Sequence, residues 1–358
     1  MSELQSKKYI LPAEWSRQAA VQLTWPHADT DWRPYLDDIT EVCLQLVEAI
    51  AGHERVIVVA QDAAEVSRLI EQRIGSVLMK NVIVHRCNNN DTWARDHAFI
   101  TVEAHDECGG ADHLMLDFRF NGWGEKFPAN LDNKINATLY NTGMFSGHRV
   151  DYDDFVLEGG SVESDGRGTI FTTSMCLLAP HRNQPLGRSD IEQILKERLF
   201  ADRVVWLDHG QLIGDDTDGH IDTIVRTAPD NTLVYVGCDD PEDSQYADFK
   251  ALENQLMALR TADGHPFRLL RLPMPDAIYD EGERLPATYA NYLIINDAVI
   301  VPVYGQPDND KAATDIISQA YPDRQMICID ARVVIRQHGS LHCLTMQYPE
   351  GCLALDAG

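Results

Sequence analysis

Apolar positions along the chain alternate in short runs, and three of these runs turn back on themselves at turn-forming pairs. FVLEGGSVESDGRGTIFTTS pivots at Asp165-Gly166, HIDTIVRTAPDNTLVYVG at Asp230-Asn231, and NYLIINDAVIVPVYG at Asn296-Asp297. Asp, Asn and Gly accept the positive φ of tight turns, so each run predicts a β-hairpin. The turns recur about every 65 residues, the mark of a repeated structural unit. A looser fourth hairpin joins DHAFITVEA to HLMLDFRF through HDECGGAD. Between hairpins the period changes to that of a helix. Ile39–Ile50, Ser189–Leu199, Asp248–Leu259 and Ala312–Ala320 carry apolar residues at helical spacing. A strand candidate follows each: RVIVVAQ, VVWLD, FRLLRLP and QMICID. The unit reads as hairpin, helix, strand. Near the two ends, AVQLTWP and SLHCLTM lack local partners; pairing them supplies a fifth hairpin and removes two sheet edges. With no linker or low-complexity tract between halves, the expectation is one α/β domain over residues 1–358, built from five units in a ring.

Charge narrows the function classes. The formal net charge of −26 argues against nucleic acid or anionic membrane as partners and suits a cationic ligand. The opening MSELQSKKYILPAEW has no apolar run of signal-peptide length, and no stretch approaches the ~18 apolar residues of a membrane span. Eight cysteines are scattered without a CxxC pair, which reads as reduced thiols and predicts a cytoplasmic location.

The residues with chemical potential cluster where hairpins begin. They are Asp96 in NDTWARDHA, Glu158 in VLEGGS, His220 and Asp222 in DDTDGHID, Asn291 in YANYLI, and Cys343 in SLHCLTMQ. In a ring these side chains converge. Cys, His and several carboxylates at one point suit covalent catalysis on a cation, because two carboxylates beside a thiolate need a positive charge between them. A guanidinium is planar, permanently charged and offers paired N–H donors. Asp96 and Asp222 are expected to bind its edges, Cys343 to face its central carbon, and Glu158 to hold the His220 ring. Taken as a strand, SLHCLTM turns His342 to the face opposite Cys343, outside the chemistry. Metal readings are weaker. DDTDGHID fails an EF-hand register at positions 1 and 12, no HExxH occurs, and His105, Cys108 and His113 lack a fourth ligand at zinc spacing.

LPAEW with LTWPH, NDTWARD, FNGWGEKFP, LEGGS, DDTDGHID and LHCLTMQ occur here in one order. Together they resemble the agmatine deiminase family, within the Porphyromonas-type peptidyl-arginine deiminase group. The resemblance implies a five-unit α/β propeller, the pentein fold, and hydrolysis of a guanidinium to a ureido group and ammonia without metal or cofactor. It implies Cys343 as nucleophile, His220 as general acid and base, Asp96 and Asp222 as guanidinium carboxylates, and Glu158 as support for the histidine. Trp93 matches an aromatic lining the substrate site, and Asn291 a polar residue near the nucleophile. Agmatine is the implied substrate and polyamine synthesis the implied context, with Asp216 the expected contact for the distal amine; homo-oligomerisation is left open. The chain departs from the family pattern at Gln337–Leu341 and at Thr223. The rival readings are a peptidyl-arginine deiminase, a non-catalytic binding scaffold of the same fold, and a metallohydrolase.

Overall fold

A computed structural model describes residues 7–105 and 111–354 of the chain. Five mixed sheets repeat one pattern, an antiparallel pair extended by a strand parallel to its second member. Val162–Ser164 and Thr169–Thr173 pair around the Asp165-Gly166 turn, and Arg203–Leu207 extends them in parallel. Val225–Ala228, Thr232–Gly237 and Arg268–Pro273 repeat the arrangement, as do Leu293–Ile295, Ala298–Val303 and Gln325–Asp330. The turns adopt the backbone their residues favour: φ is 58° at Asp230, 56° at Asn231, 61° at Asp297 and 66° at Gly166. Ile100–His105 pairs with Ala111–Arg119, with His148–Val156 as the parallel third strand. The connecting residues 106–110, including Cys108 of the zinc alternative, lie outside the described residues.

The fifth sheet joins the two ends of the chain. Gln18–Thr24 pairs antiparallel with Thr345–Pro349, and Arg55–Ala60 and then Val82–Arg86 add in parallel. This sheet has a fourth strand that the pattern did not announce, preceded by the helix Ala63–Leu78. The predicted helices form as Leu36–Ala51, Arg188–Arg198, Tyr246–Ala258 and Pro307–Ala320. Helices cross between the second and third strands and pack on the sheets, so strands such as Thr232–Gly237 are buried along their whole length. Among the described residues, no helix is long and apolar enough to cross a membrane.

Candidate active site

Each candidate residue sits just before the first strand of a pair or in the short turn leading into it. Asp96 lies in the four-residue helix Ala94–His97, and Glu158 precedes the Gly159–Ser161 turn. His220 and Asp222 flank the start of the Ile221–Thr223 turn, Asn291 precedes Leu293–Ile295, and Cys343 precedes Thr345–Pro349. Equivalent positions in different sheets thus deliver polar groups to one buried region. Glu158, His220, Asp222 and Asn291 are fully buried, and Asp96 and Cys343 are each 4% exposed.

The convergence is measurable at Gly160. A Cβ placed on this residue would stand 2.6 Å from His220 Nδ1, 3.0 Å from Asp96 Oδ1 and 3.1 Å from Asp222 Oδ2. Three polar atoms therefore surround one point, and only a residue without a side chain leaves it open. Gly160 also donates its backbone N–H to Asp96 Oδ1 at 3.0 Å, while Trp123 Nε1 donates to Asp96 Oδ2 at 2.9 Å. Asn291 links the other side: its Nδ2 donates to Asp222 Oδ2 at 3.1 Å, and its Oδ1 lies 3.4 Å from Cys343 Sγ. Cys343 Sγ is 3.7 Å from Asp222 Oδ2. Both ring nitrogens of His220, Asp222 Oδ1 and Glu158 Oε2 are buried without a hydrogen-bond partner. Buried polar atoms are normally paired, so these four are the groups most ready to meet a polar ligand.

The electrostatics of these groups suit a cation. Burial, then the Asp222 and Asp96 carboxylates, push the Cys343 thiol well above its usual range, so these surroundings favour the protonated thiol. Burial pulls His220 down, but Asp96, Cys176 and Asp222 more than offset this and hold it well above the usual imidazole range. Burial chiefly raises Asp96, with Asp222 and Glu158 adding to it and His220 opposing. Burial would raise Asp222 too, yet the bond and charge of His342 keep it low, so it is ionised. A cation placed among these groups relieves the carboxylate repulsion and favours the thiolate.

Glu158 does not hydrogen-bond the histidine ring. Its Oε1 accepts from Arg182 Nε at 2.8 Å, and Asp96 Oδ1 stands 3.7 Å from His220 Nδ1. Glu158, Cys176 and His220 nevertheless bring a carboxylate oxygen, Sγ and a ring nitrogen within 4.8 Å of one another.

A pocket opens above Cys343 and Asp96, walled by Trp93, Trp123 and Phe127 and by the carboxylates Asp31, Asp91 and Asp216. Trp93 packs on Trp32 at 5.7 Å and edge-on to Trp123 at 6.4 Å, which fixes its face. Among the described residues, neither Lys nor Arg lines this pocket. The three aspartates near His220 separate by role. Asp215 accepts from Thr217 and Gly219 of its own loop, Asp218 pairs with Lys126 and Arg182, and Asp216 is left lining the pocket.

The expectation for His342 is corrected. Residues 341–344 form a turn, and the strand begins only at Thr345, so alternation does not apply to His342. Its Nδ1 lies 2.7 Å from Asp222 Oδ2, which ties it directly to the site. Its other partner is Glu14, three residues into the LPAEW segment, at 2.9 Å from Nε2. Sequence reasoning also passed over Trp123, Arg182 and Cys176. FNGWGEKFP carried the only available signal for Trp123; the other two stand in no motif.

Comparison with known proteins places the chain among relatives over nearly its full length. Residues 10–349 match the family profile described as Porphyromonas-type peptidyl-arginine deiminase. An agmatine deiminase of Pseudomonas putida is 32% identical, over 95% of each chain. A Porphyromonas gingivalis structure assigned as an arginine deiminase superposes with a TM-score of 0.89 at 46% identity, covering 97% of this chain and 100% of that one. A Cys-to-Ser variant of the C. jejuni agmatine deiminase with substrate bound gives 0.87 at 36%, covering 96% and 97%.

Proposed function

The chain belongs to the Porphyromonas-type peptidyl-arginine deiminase family, hydrolases of guanidino C–N bonds, and from that premise we propose that it converts agmatine to N-carbamoylputrescine and ammonia. The observation that carries this reading is the convergence of His220 Nδ1, Asp96 Oδ1 and Asp222 Oδ2 within 3.1 Å of one point above Gly160, with Cys343 Sγ 3.7 Å from the same Asp222 oxygen. Asp96 and Asp222 take the edges of the guanidinium, and its charge lets Cys343 release its thiol proton to solvent as the substrate binds. Sγ attacks the central carbon, and the tetrahedral adduct expels ammonia with a proton from His220. This leaves an S-alkyl thiouronium cation on Cys343. His220, now neutral, takes a proton from water; the hydroxide adds, and Sγ leaves and takes up the hydroxyl proton, so that the product carries a neutral ureido group and Cys343 is again a thiol. Glu158, in the neighbourhood of the ring, supports the positive charge His220 holds before it donates.

The tail of the substrate selects agmatine. Asp31, Asp91 and Asp216 suit a distal ammonium, and a free α-carboxylate meets three like charges without a Lys or Arg to receive it. Five equivalent sheets, each giving a residue to one site, support closure into the five-unit propeller as a single domain. An ammonia-release screen across agmatine, arginine and a blocked arginyl peptide decides the substrate. Agmatine should lead by roughly a hundredfold or more in kcat/KM. Equal turnover of the peptide transfers the proposal to a peptidyl-arginine enzyme. Exhaustive chelation should leave the rate unchanged, since the substrate itself brings the cation; loss with recovery on adding zinc would favour the metallohydrolase rival.

A further inference from the structure

His342 is next to the nucleophile in sequence, and the reaction scheme above gives it no task. It is 1% exposed, and its ring spans two carboxylates: Nδ1 reaches Asp222 Oδ2 at 2.7 Å, and Nε2 lies 2.9 and 3.0 Å from the two oxygens of Glu14. Arg226, fully buried, stands with Nη2 3.1 Å from Nε2. The same guanidinium pairs with Glu14 and Glu163 and donates to the carbonyls of Ala290 and Tyr292. Arg95 closes the group on Glu14 at 3.0 Å. Glu14, Glu163 and His342 lie close enough to hold a metal ion, but two arginines already neutralise the two glutamates. The cluster is a closed network of ions with one arm extended to the site. That arm is His342.

We propose that His342 is a positioning residue for deimination: by donating from Nδ1 to Asp222 Oδ2, with Glu14 and Arg226 fixing the ring from behind, it sets the carboxylate that receives the guanidinium. This rests on the reading of Asp222 as a guanidinium carboxylate. Oδ2 is also the oxygen approached by Asn291 Nδ2 and by Cys343 Sγ, while Oδ1 has no partner. A donor on Oδ2 therefore does two things. It keeps Oδ1 free for the substrate, and it draws negative charge away from the sulfur that must ionise. Without it, only Asn291 Nδ2 still holds Oδ2, and Asp222 loses part of the fixed geometry that a planar, two-pronged ligand needs.

Three variants test the idea. In His342→Asn the side-chain amide reaches the place of Nδ1 and can still donate to Asp222. In His342→Gln the amide reaches the place of Nε2 and abandons Asp222. Glu14→Gln leaves the ring but weakens its anchor. Ammonia release from agmatine gives kcat and KM, calorimetry on the Cys343→Ser background gives agmatine binding, and thermal melts report folding. The Gln variant at 342 should lose about a hundredfold in kcat/KM, and bind agmatine at least tenfold more weakly. The Asn variant should stay within about tenfold of wild type, and Glu14→Gln should raise KM several-fold at an unchanged melting temperature. Equal losses for Asn and Gln, or unchanged binding in both, overturn the proposal. If neither His342 variant folds, Glu14→Gln decides alone, and a wild-type KM there is a refutation. A wild-type enzyme inactive on agmatine instead sinks the substrate assignment, and the same variants are then compared on arginine.

Discussion

At the scale of single residues, the site holds a thiol that its surroundings keep protonated until a cation arrives. Replacing Cys343 by Ser should leave the fold intact and reduce turnover by at least about a thousandfold, because a hydroxyl is far harder to ionise beside Asp222 and Asp96. Mass mapping of a trapped adduct checks the assignment; label on any other cysteine removes it. Asp216 has a different job. As the proposed contact for the distal ammonium, it lines the pocket, so Asp216→Asn should raise KM for agmatine roughly tenfold with little change in kcat, and shrink the gap to arginine. A kcat defect of the same size would show that Asp216 acts on the chemistry instead. Much of this was legible beforehand. Asp96, His220, Asp222, Asn291 and Cys343 stand at the starts of hairpins that the alternating pattern exposes, and the structure brings all five together. The partners of His342 were not legible. Glu14 and Asp222 contact it across 328 and 120 residues of sequence, and no local period reports such a contact.

At the scale of elements, turns did more than propensity to reveal the fold. The hairpins at 165, 230 and 297 were readable because pairs of Asp, Asn and Gly, which accept positive φ, stand between alternating apolar runs. The helix Ala63–Leu78 escaped because it buries only Val66 and Ile70, and the strand Val82–Arg86 because most of it is half-buried with no alternation. The last helix starts at Pro307 rather than Ala312; its first turn is polar, and only the Pro at the first position marks it. The turn Gly159–Ser161 makes the sharpest test at this scale. Neither glycine has positive φ, so space and not backbone freedom requires them. A methyl at 159 would meet the Arg95 carbonyl oxygen at 2.2 Å, whereas one at 160 would meet mainly the catalytic side chains. Gly160→Ala should therefore fold, with a melting temperature near wild type, yet lose activity by about a hundredfold or more as the methyl fills the substrate's place. Retained agmatine turnover would mean that the guanidinium binds elsewhere.

At the scale of the whole molecule, acidity has a cost that the fold places at known positions. Burial pushes Glu54 up to about 7, although its Oε1 accepts from the backbone of Asn296 and its Oε2 has no partner. The folded state thus holds this proton more tightly than the unfolded chain does. The associated stability is fully present below the ordinary glutamate range and is lost as pH rises through about 7. Glu54→Gln keeps an acceptor for Asn296 without the charge, so it should stabilise the protein at pH 8 by on the order of 2 kcal/mol and have little effect at pH 4. Denaturant melts at both values measure the difference, and an equal effect at the two would exclude titration of Glu54 as its cause. The pairing of Gln18–Thr24 with Thr345–Pro349 carries a consequence of another kind. Cys343 lies two residues before the strand that completes this sheet, and Glu14, which anchors its neighbour, lies four residues before the strand that began it. Synthesis therefore lays down Asp96, His220 and Asp222 well before Cys343 and the Thr345–Pro349 strand that follows it. Until that strand pairs with Gln18–Thr24, neither Cys343 nor the His342 contact to Asp222 is in place, so the site is completed together with the sheet that joins the two ends of the fold.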